Sequence, residues 1–274
     1  MIDILAFSCP LLLAATGALF SEYAGCLALF LDSAITLSGF FTYTFSVLTG
    51  SVVGGIILSC ICMTALCLLF AFIVEKSKAE RFIAAIAINL LFGGLVSLLS
   101  SLIFKTRGIL ASPDFLFKTG QVNIFSICIT LLIVSLAIIF LTKSQRGIYF
   151  RITGSDPDVL LVRGVNPALY RILSWGLAGF AAALAGSIMT LRVSSFVPNL
   201  ASGKGWLALA AVFMGRRRLW RISLFVVIFC LIEYAALLIP NYIPAMPSAV
   251  ILALPYIVSL AITFFPDKVR GPAS

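Results

Sequence analysis

The chain has no histidine, and only 11% of its 274 residues carry a charge. Without histidine it lacks the commonest general base, proton relay and metal ligand. That weighs against enzymatic chemistry and against a metal centre, though it does not by itself exclude an enzyme. The seven cysteines (Cys9, Cys26, Cys60, Cys62, Cys67, Cys128, Cys230) all lie in or beside apolar runs, none at zinc-finger spacing. Cys60 and Cys67 can share a helix face, where small apolar packing is their ordinary role. No G-x-x-x-x-G-K-[ST] sequence occurs, and Ser202-Gly203-Lys204-Gly205 has neither the spacing nor the hydroxyl of a phosphate loop. The chain therefore does not hydrolyse ATP alone. Period-2 alternation is missing, which excludes a β-barrel pattern. No basic stretch precedes the first apolar run, which carries Asp3, so no cleavable signal is expected. There is no soluble domain, low-complexity tract or usable internal repeat.

What is present is greasy sequence: 62% hydrophobic residues and a mean hydropathy of +1.17. Repeated apolar runs near the spanning length of roughly 20 residues predict an all-α, polytopic membrane protein of one domain, residues 1–274. The segments fall at about 4–20, 27–48, 51–74, 82–104, 122–142, 172–192, 194–214, 222–239 and 247–265, giving eight to nine passes. With 75–81, 143–171, 216–221 and the C-terminal tail inside, 14 positive residues lie inside and five outside. That distribution predicts an outside N-terminus and an inside C-terminus, with 105–122 as the main external loop. The net charge of +9 is thus a topology signal, not a nucleic-acid footprint.

The seventh segment is irregular. Pro198, Gly203, Lys204 and Gly205 crowd its first half, and a clean apolar run extends only over 206–214. Nine helical residues rise about 14 Å, roughly half of a hydrocarbon core. A broken or re-entrant half-helix is expected there, lining protein or a wet cavity. The sixth segment carries small residues at spacing four (Ala178, Ala182, Gly186), which let a neighbouring helix approach closely; Gly50, Gly54 and Gly55 do so more weakly. Two acids sit within apolar segments, Asp32 and Glu233. Each is either a polar spot on a path or interface, or a structural hydrogen bond. Nothing in the sequence places them together. Arg192 and Lys204 frame the outer half of the seventh segment as loop charge. Residues 216–221 (Arg-Arg-Arg-Leu-Trp-Arg) read as an inside anchor.

The longest polar interruption is 143–171, with Lys143, Arg146, Arg151, Arg163 and Arg171. Ser155 or Asp156, followed by Pro157 and Asp158, reads as a helix start, and Gly164 as its stop about two turns later. A short, well-punctuated helix on the basic side predicts a docking element for something in the cytosol.

At these residues the chain resembles the permease family of ABC importers for branched-chain amino acids, simple sugars and nucleosides, closest to the nucleoside and simple-sugar branch. That branch's docking loop runs roughly G-x-N-P-x-A-A-x-x-x-G-I-N-x-x-x-x-[RK]. Here it is Gly154-Ser-Asp156-Pro157-Asp158-Val159-Leu160-Leu-Val-Arg-Gly164-Val-Asn166, with Arg171 following; Val159 and Leu160 replace the usual Ala pair. Phe196, Pro198, Gly203, Gly205 and Ala208-Leu-Ala-Ala-Val212 resemble the family's run after the small-residue helix, and Glu233-Tyr-Ala-Ala and Leu254-Pro255-Tyr256 two later landmarks. The family's N-I-G-x-E-G appears as Ala28-Leu-Phe-Leu-Asp32-Ser33.

The resemblance implies a non-catalytic subunit of the cytoplasmic (inner) membrane. A second permease subunit, identical or homologous, would complete a central path. A cytosolic ATPase would dock at 154–171 and hold the ATP-Mg, with no cofactor in this chain, and an extracytoplasmic binding protein would deliver solute. The expected docking residues are Gly154, Asp156, Pro157, Asp158, Val159, Leu160, Gly164, Asn166 and Arg171. The expected path residues are Phe196, Asn199, Gly205, Trp206 and Glu233, with Phe40 and Tyr43. Aromatics and amides suit a flat, partly polar solute such as a nucleoside or a flavin. A secondary transporter and a membrane-embedded enzyme are the rival classes.

Overall fold

A computed structural model describes residues 2–112, 115, 119–242 and 256–257. The apolar runs are helices, as a bilayer demands of backbone that water cannot satisfy. In order they are α1 Ile2–Tyr23, α2 Leu31–Thr49, α3 Val52–Ser77, α4 Arg81–Phe104, α5 Thr119–Lys143, α6 Gln145–Ser155, α7 Pro157–Val162, α8 Pro167–Val193, α9 Lys204–Met214 and α10 Leu219–Tyr242. Six of them (α1, α3, α4, α5, α8 and α10) are long and apolar enough to cross a membrane. The ninth apolar segment, 247–265, lies outside the described residues except for Tyr256 and Ile257.

α1, α2 and α8 form the centre, and α3, α4, α5 and α10 surround them with exposed apolar side chains such as Leu90, Leu102 and Leu131. Lipid tails solvate leucine as well as protein does, so close packing and hydrogen bonds must hold the centre together. The small residues of α8 serve that need on three faces. Gly17 of α1 abuts Ala178 and Ala181, Gly179 abuts Cys67 of α3, and Gly186 abuts the Ile35 carbonyl and Ser38 of α2. Hydroxyls add cross-helix bonds: Ser38 Oγ donates to the Ala182 carbonyl at 3.0 Å, and Thr42 pairs with Ser187 at 2.8 Å. The one expected stripe at spacing four is therefore part of a three-sided hub.

Two polar features overturn the loop-charge reading of Arg192 and Lys204. Pro10 lies inside α1 and has no N–H to give the carbonyl of Ala6. The Arg192 guanidinium donates to that carbonyl at 2.9 Å and lies 5.3 Å over the Phe7 ring. Arg192 thus repairs the gap left by a proline in a spanning helix. Arg192→Leu is expected to cost about 1–3 kcal/mol, the range for stranding a buried acceptor. A lower unfolding midpoint in detergent is the readout, and an unchanged one would mean that the carbonyl is satisfied otherwise. Lys204 is buried and ion-paired, as described below.

The second apolar segment also begins differently. Helix starts at Leu31, not at 27, because residues 24–30 leave α1 as a non-helical stretch. Its polar groups find other partners: Cys26 N donates to the Ser21 carbonyl, Ala28 N to Ser21 Oγ, and Trp175 Nε1 to the Cys26 carbonyl. An apolar-run reading cannot see those tertiary bonds.

Candidate docking face and intramembrane polar site

One end of the bundle gathers α6, α7, the foot of α8 and the 215–218 turn. α6 is anchored by Phe150, whose ring meets Phe20 at 5.8 Å, Phe140 at 5.9 Å and Tyr170 at 5.3 Å. Asp156 ends it, its N–H still bonded to the Ile152 carbonyl at 2.8 Å, and Pro157 opens α7. The left-handed φ of +73° at Gly164 reverses the chain, and Val165 N closes back on the Leu160 carbonyl at 2.9 Å. Asn166 caps α8, its Oδ1 accepting from Ala168 N at 3.0 Å.

Within α7, Leu160 is fully buried and pins the helix down. Its other aliphatics face outward: Val159, Leu161 and, at 90% exposure, Val162. Asp158, Gly164 and Asn166 are exposed around them. The other expected docking residues stand elsewhere. Gly154 packs against the backbone of Tyr23 and Gly25. Arg171 turns away to Glu75, 3.8 Å distant, which also pairs with Arg81 at 2.7 Å. Beside them, Arg217 bonds Glu22 Oε1 through Nε (3.0 Å) and Nη2 (2.7 Å), and the Tyr23 hydroxyl donates to the Arg217 carbonyl. So Arg217, read in sequence as a headgroup anchor, locks α1 to the α9–α10 turn.

The second site lies at the start of α9. Lys204 ion-pairs with Glu233 of α10 and sits 5.0 Å over the Phe7 ring. The next residue, Gly205, donates its N–H to Asp32 Oδ1 at 3.1 Å, so close that a Cβ on Gly205 would overlap the Asp32 backbone. The two acids that sequence could not place together thus meet consecutive residues of one helix. A carboxylate at a helix N-terminus is favoured by the backbone dipoles as well as by the hydrogen bond. A cavity of about 230 Å³ opens beside Lys204, Arg192, Phe7 and Met189.

The remaining expected path residues divide. Phe40, Phe196 and Tyr43 are buried in one aromatic cluster: Phe40 meets Phe196 at 5.3 Å and Phe104 at 6.1 Å, and Tyr43 meets Phe104 at 5.8 Å. Phe196 also forms an isolated antiparallel bridge with Leu110 in the loop after α4. Asn199 and Trp206 are exposed. The sequence reading takes Lys204 as loop charge and Arg217 as an anchor, and does not assign a role to Glu22. For Lys204 the available signal was a charge's need for a partner at membrane depth.

A hub of small-residue helices, a half-length helix with paired charges and an outward-facing short helix together make a multi-pass helical membrane protein. The sequence profile of the family described as "Branched-chain amino acid transport system / permease component" matches residues 1–265, and the chain belongs to that family of ABC importer permease subunits. It is 25% identical, over 296 aligned positions, to the guanosine ABC transporter permease protein of Bacillus subtilis, covering 98% of this chain and 92% of that one. It is 27% identical over 147 residues to the ribose import permease protein of Haemophilus influenzae, covering 52% of this chain and 46% of that one. The fold resembles that of PsaBC from Streptococcus pneumoniae in complex with Fab, at a TM-score of 0.56 and 14% identity over 97% of this chain and 90% of that one.

Proposed function

We propose that this subunit carries a small polar solute, of the nucleoside or simple-sugar class and including flat solutes such as riboflavin, across the cytoplasmic membrane as half of a paired permease. The solutes that two relatives are named for, guanosine and ribose, support that class. The subunit spans the membrane eight to nine times with its N-terminus outside and contributes no bond-breaking chemistry. A separate ATPase hydrolyses ATP-Mg, a second permease subunit completes the path, and an extracytoplasmic protein delivers the solute. The path passes the start of α9, where Gly205, Asp32, Lys204 and Glu233 meet. Closure of the ATPase pushes α7 and shifts the bundle between outward- and inward-facing states.

The observation that carries this reading is α7 itself. A helix pinned by one buried leucine, opened by Pro157, closed at Arg163–Gly164 and presenting bare aliphatics beyond the membrane is built to enter a partner's cleft. Leu161→Asp with Val162→Asp places two carboxylates on that tip without touching the buried face. The expected result is unchanged membrane insertion and loss of ATPase association, about tenfold or more, in a pull-down. Full retention of the ATPase would overturn the docking assignment.

A further inference from the structure

Residues 24–30 are gripped at both ends, by main chain on main chain at Gly25 and, just beyond the stretch, by the backbone and carboxylate of Asp32. At the near end, Gly25 holds a φ of +71°, and a Cβ there would stand 3.1 Å from the Gly154 Cα. In the other direction, a Cβ on Gly154 would collide with the Tyr23 carbonyl and stand 2.8 Å from Gly25 N. Gly154 is three residues ahead of Pro157, across a joint stiffened by the Asp156–Ile152 bond. At the far end the stretch runs into Asp32, whose backbone touches Gly205 and whose carboxylate holds Gly205 N. In between it is buried and tied: Phe30 packs on Trp175 at 5.2 Å, and Trp175 donates to the Cys26 carbonyl.

A side chain can absorb a shift of a few tenths of an ångström by changing rotamer. Touching backbones cannot, so they pass displacement on. Meanwhile Arg217, Glu22 and Tyr23 fasten the end of α1 to the turn after α9. Gly25, with its left-handed φ, joins that fastened α1 end to the stretch 24–30. We propose that segment 24–30, held at Gly25–Gly154 and at Asp32–Gly205, is the rod that carries the displacement of α7 to the start of α9 and its Lys204–Glu233 pair. This rests on the docking role given to α7. It also assigns Asp32, which stands where the family's signature has glutamate, to positioning α9.

The test is hydrogen exchange on the assembled complex with its ATPase, comparing the nucleotide-free state with the state trapped by ATP and vanadate. In the unaltered protein, exchange should change on trapping in 157–162, 26–31 and 204–209. Gly154→Ala forces the two backbones apart while leaving the α7 surface intact. It should keep the change in 157–162 and reduce those in 26–31 and 204–209 by about fivefold or more, the lower range of intersite coupling. Unaltered responses in 26–31 and 204–209 would overturn the proposal, as would their absence in the unaltered protein while 157–162 responds. Absence of a response in 157–162 itself would overturn the docking role first. Should Gly154→Ala fail to fold, Asp32→Leu removes the carboxylate's hold on Gly205 N: it should preserve the response of 26–31 and reduce that of 204–209 by about fivefold or more. Persistence of the latter sinks the rod.

Discussion

Lys204→Met is expected to leave little folded protein, with a loss of about 3–5 kcal/mol, the usual cost of removing one partner of a buried ion pair. The side chains of Lys204 and Glu233 are only 10% and 21% exposed, and Glu233 Oε2 already has no hydrogen-bond partner among the described residues. Removal of the ammonium strands the Glu233 carboxylate within a membrane-spanning helix. Lys204→Met combined with Glu233→Leu should recover most of the loss, because a buried pair roughly breaks even against apolar residues of similar volume. Unfolding midpoints of the two variants in detergent, with yields by size exclusion, give the comparison. A double variant no better than the single one would mean that the pair is not the source of the loss.

Gly186→Val is expected to be the most damaging exchange of one residue for another in the hub. A Cβ at this position would overlap the Ile35 carbonyl and Ser38 Oγ and come within 2.9 Å of Gly39 N. Two of those three atoms belong to a helical backbone that cannot move without separating α2 from α8. Overpacking of a movable side chain costs about 1–3 kcal/mol, and a backbone obstruction exceeds that. The expected readout is loss of the monodisperse peak. Gly94 on α4 is the control, since a Cβ there meets nothing within 4 Å. Gly94→Ala should be neutral or stabilise the helix by up to about 1 kcal/mol. Tolerance of valine at 186 would mean that α2 and α8 approach less closely than described.

Much of the fold can be read from hydropathy alone. α3, α4 and α5 coincide with their apolar runs to within a few residues, because lipid forces each run to satisfy its own backbone. α7 was legible from Pro157 and Gly164, whose backbone demands are local. What escaped were features set by partners distant in sequence. The late start of α2 depends on bonds from Ser21 and Trp175, and the convergence of Asp32 on Gly205 and of Glu233 on Lys204 depends on where α9 begins. Arg192 was misread although its cause was visible: Pro10 frees the carbonyl four residues before it, and a spanning helix must find that carbonyl a donor. Among the expected path residues, Phe40, Tyr43 and Phe196 form a closed aromatic cluster. Aromatic content alone does not distinguish a lining from a core.

The bare tip of α7 also bears on how such a subunit is made. Until something covers Val159, Leu161 and Val162, each copy holds a sticky aliphatic end in water, open to its neighbours and to proteases. On the docking role proposed for α7, surplus copies are expected to clump or be degraded, and matched synthesis of the covering chain to protect them.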